Sequence, residues 1–138
     1  MNTTLIKFLK TELKWNILYI SSIEKIGGLS SENYKVSYNN NNYFVKICTD
    51  NYLHTDRNNE LSIINKVEEL NIAPELYYFS TETGNMVSSW IHGNMPSLTD
   101  FSSPIFLKKL SNSLKSFHSL KCEKYFNPFE HIRKRITI

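Results

Sequence analysis

Long apolar runs are missing from this chain of 138 residues, so no stretch of it is expected to cross a membrane. Leu5, Ile6, Phe8 and Leu9 come nearest to the apolar core of a secretory leader, but Lys7 and Lys10 interrupt them. Cysteine is scarce. Cys48 and Cys122 lie far apart and form no Cys-x-x-Cys pair, which argues against a disulfide framework and for reduced thiols in a cytoplasmic setting. A strong charge of one sign is also missing. The 16 Lys and Arg against 13 Asp and Glu leave a net charge of +3, a slight preference for anionic ligands without the clustered basic face of a nucleic-acid binder. Internal repeats and a Ser/His/Asp arrangement are absent as well.

What remains is an ordinary globular composition: 41% hydrophobic, 13% aromatic and 21% charged. That is too apolar for disorder. The length suits one small domain, or one lobe of a larger one, with a real core.

The hydrophobic periodicity predicts the elements in order. Residues 3–16 read as an amphipathic helix, with Leu5, Phe8, Leu9 and Leu13 on one face. Residues 18–26, 33–38 and 43–49 read as strands. Asn39-Asn40-Asn41-Asn42 is the hairpin turn between the last two, because Asn tolerates left-handed backbone. Residues 56–71 read as a helix capped by Asp56, with Leu61, Ile64, Val67 and Leu70 as its apolar stripe. It ends before Pro74. Residues 75–80 and 86–91 read as two more strands. After an irregular segment from His92 to Ser103, Ser103-Pro104 opens a last helix over 104–121, with Leu107, Leu110, Leu114 and Phe117 as its stripe. The expected fold is α+β: a five-stranded antiparallel sheet with one packed helix, an N-terminal helix before it and a further helix after it.

Of the four glycines, two are adjacent, Gly27 and Gly28, at the turn between the first two strands. Gly27-Gly28-Leu29-Ser30-Ser31-Glu32-Asn33 followed by a strand lysine, Lys46, suits a nucleoside triphosphate. Glycine lets the backbone approach a phosphate, hydroxyls and N–H groups donate to its oxygens, and the lysine adds a point charge. Lys46 shares a strand face with Phe44 and Cys48. It either pairs with an anion there or snorkels to water. Glu60, at the border of the helical stripe, either faces the sheet as the partner of Lys46 or is solvated.

These segments together resemble the N-terminal lobe of the choline/ethanolamine kinase family, within the aminoglycoside-phosphotransferase-like and protein-kinase-like superfamily. The resemblance is carried by Ile26 to Val36, Tyr43-Phe44-Val45-Lys46-Ile47, Asp56-Arg57-Asn58-Asn59-Glu60, Ile72-Ala73-Pro74-Glu75-Leu76, Trp90-Ile91-His92-Gly93 and Leu114-Lys115-Ser116-Phe117-His118. It implies a kinase-like lobe over 1–91, and a connector with the start of a helical second lobe over 92–138. It implies that Gly28, Ser30, Ser31 and Asn33 line the phosphates of ATP, and that Lys46 contacts them and pairs with Glu60. The backbone of Ser89, Trp90 and Ile91 becomes the hinge that meets adenine, and Arg57 belongs to an Asp-Arg motif.

The family's catalytic His-x-Asp with its following Asn, and its later metal-binding Asp, have no counterpart here. His54-Thr55-Asp56 and Asp100-Phe101-Ser102 copy the letters at the wrong places in the chain. The resemblance therefore assigns no catalytic or metal-binding residue to these 138 residues, and leaves Mg²⁺ to a complete enzyme. The expectation is an ATP-dependent kinase of a small amino alcohol represented by its nucleotide-binding part, truncated and inactive alone. The other expectation is a non-catalytic module that dimerises, or recruits the missing second lobe, through helix 104–121. His118 and Cys122 stand one helical turn apart without a second ligand pair, and Arg133-Lys134-Arg135 reads as a solvated end.

Overall fold

A computed structural model describes residues 3–29, 31–49 and 56–121, together with Phe129, Ile132 and Arg133. Ser30, His54, Thr55, Cys122, Lys134 and Arg135 lie outside the described residues. The chain divides into two units, one of Met1–Tyr52 and Pro74–Ile91, the other of Leu53–Ala73 and His92–Ile138.

The first unit holds helix α1 (Thr3–Thr11) and strands β1 (Ile20–Gly27), β2 (Ser31–Tyr38), β3 (Asn41–Cys48), β4 (Leu76–Phe79) and β5 (Met86–Ser89). The strands form one sheet in the order β1-β2-β3-β5-β4, with every neighbouring pair antiparallel. Alternation along the strands sends Tyr34 and Val36 of β2, Val45 and Ile47 of β3, and Val87 of β5 to one face. The apolar face of α1, Leu5, Phe8 and Leu9, covers them. Leu5, Leu9, Val36, Val45 and Val87 are fully buried. At about 1.5–3 kcal/mol for each large apolar side chain removed from water, this small cluster dominates the stability of the unit. Phe8 meets Tyr78 of β4 edge-on at 5.5 Å, and the Tyr78 hydroxyl donates to Glu12, which anchors the C-terminal end of α1 over that strand.

The helix expected over 3–16 stops at Thr11. Lys14 sits in the left-handed region at φ 57°, and the Trp15 N–H reaches back to the Leu9 carbonyl at 2.9 Å. That reversal frees Trp15 to stack on Tyr38, with ring centroids 4.2 Å apart, while Leu13 still packs on the core. A short 3₁₀ turn, Ile17–Tyr19, takes the first positions of the strand expected at 18–26. Asn16 caps it by accepting from the Leu18 N–H. The Asn tract makes a tighter hairpin than four residues. Asn39 and Asn40 take φ of 49° and 63°, and Asn41 and Asn42 already belong to β3. Two consecutive left-handed residues are the turn whose twist matches the flanking strands.

The second unit holds α2 (Arg57–Glu69) and α3 (Pro104–His118). Asp56 caps α2 by accepting from the Asn59 N–H at 3.0 Å. Ser103 caps α3 through the Phe106 N–H, with Pro104 at the first helical position. Helix α3 was expected to reach 121 and ends at His118. There the Ser119 N–H and hydroxyl turn back to the carbonyls of Lys115 and Ser116, and Lys66 of α2 donates to the Lys121 carbonyl at 2.7 Å. Leu61, Ile64 and Val67 of α2 are half-buried. Leu107, Leu110, Leu114 and Phe117 of α3 stay 37–47% exposed.

Candidate nucleotide site

The sheet face turned away from α1 carries Asn33 of β2 and Lys46 of β3. The register pairs Gly27 with Asn33, Asn33 with Lys46, and Lys46 with Met86. Directly opposed residues share a face with about 5 Å between their Cβ atoms, so flap, amide and ammonium lie in one cross-strand row. Lys46 is half-buried there, on the face it shares with Phe44 and Cys48 along β3, and the register adds Met86 of β5 opposite it.

The flap itself is built by backbone geometry. Gly27 and Gly28 take φ of 105° and 134°, which only glycine adopts without strain. A Cβ at Gly28 would collide with the Ser31 carbonyl oxygen and crowd the Asn33 amide nitrogen. A Cβ at Gly27 would meet nothing. The first glycine therefore faces open space and the second is wedged against the start of β2. The Ser31 hydroxyl donates to the Asn33 side-chain oxygen Oδ1 at 3.1 Å, which leaves the Asn33 NH₂ pointing toward the glycine turn.

On the opposite face a bracket holds the flap from below. Glu32 accepts from Lys25 at 2.5 Å and from the Tyr34 hydroxyl at 2.9 Å, tying β1 to β2 two residues before the glycines. The hydrogen bond to Glu32 holds the Lys25 ammonium above its ordinary pKa. Lys25 is thus occupied with structure, and the cation of the flap row is Lys46 of β3.

The expected hinge lies at the other end of β3. Tyr43 pairs with Ser89, three residues from Lys46, or about 10 Å along the strand. Two of the three hinge amides are already engaged: the Ser89 N–H donates to Glu75 O at 2.8 Å and the Trp90 N–H to Asn42 O at 3.2 Å. The Ser89 carbonyl accepts from the Ser88 hydroxyl at 3.4 Å.

Glu60 lies on α2, in the second unit, where it accepts from Arg57 at 2.8 Å one turn away. That i,i+3 pair was not anticipated, although the spacing of Arg57 and Glu60 in the sequence allows it. Asp56 of the first decoy is the cap of α2. Asp100 of the second opens a 3₁₀ turn, Asp100–Ser102. Among the described residues no group of three or more His, Cys, Asp or Glu side chains comes together. An apolar pocket of about 560 Å³ opens on the α1 side of the sheet among Leu5, Ile17, Ile20 and Ile23; it contains none of the candidate residues.

Solved structures share this fold. The choline kinase LicA of Streptococcus pneumoniae aligns with a TM-score of 0.74 and 23% identity, over 97% of this chain and 47% of its own. The fold is that of a choline/ethanolamine-kinase-like N-lobe. The ethanolamine kinase of Plasmodium vivax aligns at 0.68 with 18% identity, over 99% of this chain and 37% of its own. A choline/ethanolamine kinase family protein of Mesorhizobium loti aligns at 0.69 with 17% identity, over 97% and 44%. A structure of LicA in complex with AMP aligns as well, at 0.74. All of these identities lie below 25%, so what the likeness establishes is the kinase-like fold. The chain spans less than half the length of each of these kinases. No protein-family model and no curated protein matches the sequence. Among the described residues of this kinase-like lobe, no helix is long and apolar enough to cross a membrane.

Proposed function

We propose that this chain is the nucleotide-binding part of an ATP-dependent kinase of the choline/ethanolamine type, and that it is inactive alone. In this reading residues 1–91 form the N-lobe and residues 92–138 begin the second lobe. The flap of Gly27 and Gly28 closes over the phosphates, with Ser30, Ser31 and Asn33 as donors. Lys46 neutralises phosphate charge and Glu60 orients its ammonium. Residues 89–91 meet the base. ATP supplies the transferable phosphoryl group when bound, and these residues position it and screen its charge.

The observation that carries the reading is the row of Gly27, Asn33 and Lys46 on the face opposite α1, in a fold shared with choline and ethanolamine kinases. An acceptor for the alcohol proton is not assigned within these residues, so no turnover is expected from them.

Calorimetric titration of the purified chain with ATP tests this. Binding that disappears in Lys46→Ala, with an unchanged circular dichroism spectrum, supports the site. Absence of ATP binding, or binding indifferent to Lys46→Ala, overturns it. Choline-dependent ADP formation by the chain alone overturns the inactivity.

A second reading has an observation of its own. The α3 stripe of Leu107, Leu110, Leu114 and Phe117 is left 37–47% exposed, more than a helix face buried in a core allows. It fits a non-catalytic module that pairs with a second copy, or with a separate second lobe. A clean monomer in light scattering across a concentration series counts against the self-pairing form.

A further inference from the structure

The Lys46 face carries a second cation to which the nucleotide reading gives no task. Lys35 of β2 stands opposite Phe44 of β3, and Phe44 opposite Ser88 of β5. These residues make a row parallel to that of Asn33, Lys46 and Met86, two residues or about 7 Å further along the strands. The Lys35 ammonium lies 5.0 Å from the centroid of the Trp90 ring. Trp90 follows β5, and its N–H is bonded to the Asn42 carbonyl of β3. In the sheet β3 separates β2 from β5. The Lys35–Trp90 contact therefore reaches across β3, on the side where Phe44 projects.

Resting on the reading above, which puts phosphates at Lys46 and the base near residues 89–91, we infer that Lys35 and Trp90 together form the platform against which the nucleobase packs, and so determine how strongly a nucleotide is preferred over bare polyphosphate. Indole presents the broadest π surface of any side chain to a planar base, and stacking of this kind strengthens binding on the order of tenfold or more. The ammonium lies over the ring, 5.0 Å from its centroid, and so fixes the indole plane for a base on its other face. The platform then recognises the base through stacking on the indole. A surface cation–π pair with no ligand role would instead leave every binding ratio unchanged on truncation, and alter only stability.

The test is calorimetric titration of the whole chain with ATP and with inorganic tripolyphosphate, in the wild type and in Trp90→Ala, Trp90→Phe, Lys35→Met and Lys46→Ala, each checked for folding by circular dichroism. The wild type is expected to bind ATP on the order of tenfold more tightly than tripolyphosphate. Trp90→Ala should bring that ratio to about one with tripolyphosphate affinity unchanged. Trp90→Phe and Lys35→Met should lower it partway, and they decide the matter if Trp90→Ala does not fold. Lys46→Ala should weaken both ligands alike. Ratios unaffected at Trp90 and Lys35, with both ligands still dependent on Lys46, overturn the platform and leave the phosphate site standing. No ATP binding by the wild type overturns both.

Discussion

Gly28 and the carbonyl oxygen of Ser31 are packed so closely that no side chain fits between them. The neighbouring Gly27 shares the unusual backbone but faces open space. The two glycines therefore answer to different constraints, and substitution separates them. Gly27→Ala should cost only backbone strain, about 1–2 kcal/mol. Gly28→Ala adds a clash with main chain and should cost about 3 kcal/mol or shift the flap. Urea unfolding of the two variants gives the order. Equal losses would show that crowding by Ser31 is unimportant.

The end of β3 is tied to the β4–β5 turn by Asn85, only 8% exposed, whose side-chain oxygen accepts the Cys48 N–H at 3.0 Å. The Cys48 thiol donates to Gly84 O beside it at 3.3 Å. Asn85→Ala removes a buried acceptor and should destabilise by about 1–3 kcal/mol, whereas Asn85→Asp keeps the acceptor and should lose less. Thermal melts of both variants read the difference.

The hairpin at Asn39-Asn40 is a test of backbone handedness. At φ 63°, Asn40 occupies a conformation open to glycine and hostile to β-branched side chains. Asn40→Gly should be neutral or stabilising by up to about 0.5 kcal/mol, and Asn40→Val should cost about 1–2 kcal/mol. A stable Asn40→Val protein would mean that the turn is not held in this form.

Asp100 accepts from both the N–H and the hydroxyl of Ser97, each at 2.7 Å, and these bonds hold its carboxyl below the usual carboxylate range. A depressed folded-state pKa stabilises the fold above the unfolded value, and that contribution is lost as pH falls through the folded one. Ser97→Ala removes the hydroxyl bond, so the Asp100 carboxyl should titrate higher. An NMR titration of the Asp100 side chain measures it directly, and an unchanged midpoint contradicts the assignment.

The elements most readily read from sequence were those with a local cause. Asp56 and Ser103 announce their helices by offering an oxygen to an amide three residues on, and both do so. The five strands follow from alternation, and the turn at the Asn tract from the tolerance of Asn for left-handed backbone. The errors lie where a distant contact overrides local preference. The pattern over 3–16 is helical throughout, yet the chain leaves the helix after Thr11 because Trp15 gains more by stacking on Tyr38 of β2. The residues around Lys46 divide the same way. Phe44 is legible from period two along one strand. Lys35 and Met86 join it only through register, which turns and bulges set.

Composition, periodicity and capping chemistry were enough for the class of the fold, the order of its elements and the glycine turn, since each depends on neighbours a few residues away in the chain. Tertiary structure decided which residues stand beside one another. Strand pairing brings Gly27, Asn33 and Lys46 into one row, and carries Lys35 of β2 across β3 to Trp90. Such pairings join positions up to 55 residues apart, and no local propensity encodes them. They arise because burying Val36, Val45 and Val87 under α1 permits only one alignment of the strands, and that alignment sets what the opposite face presents.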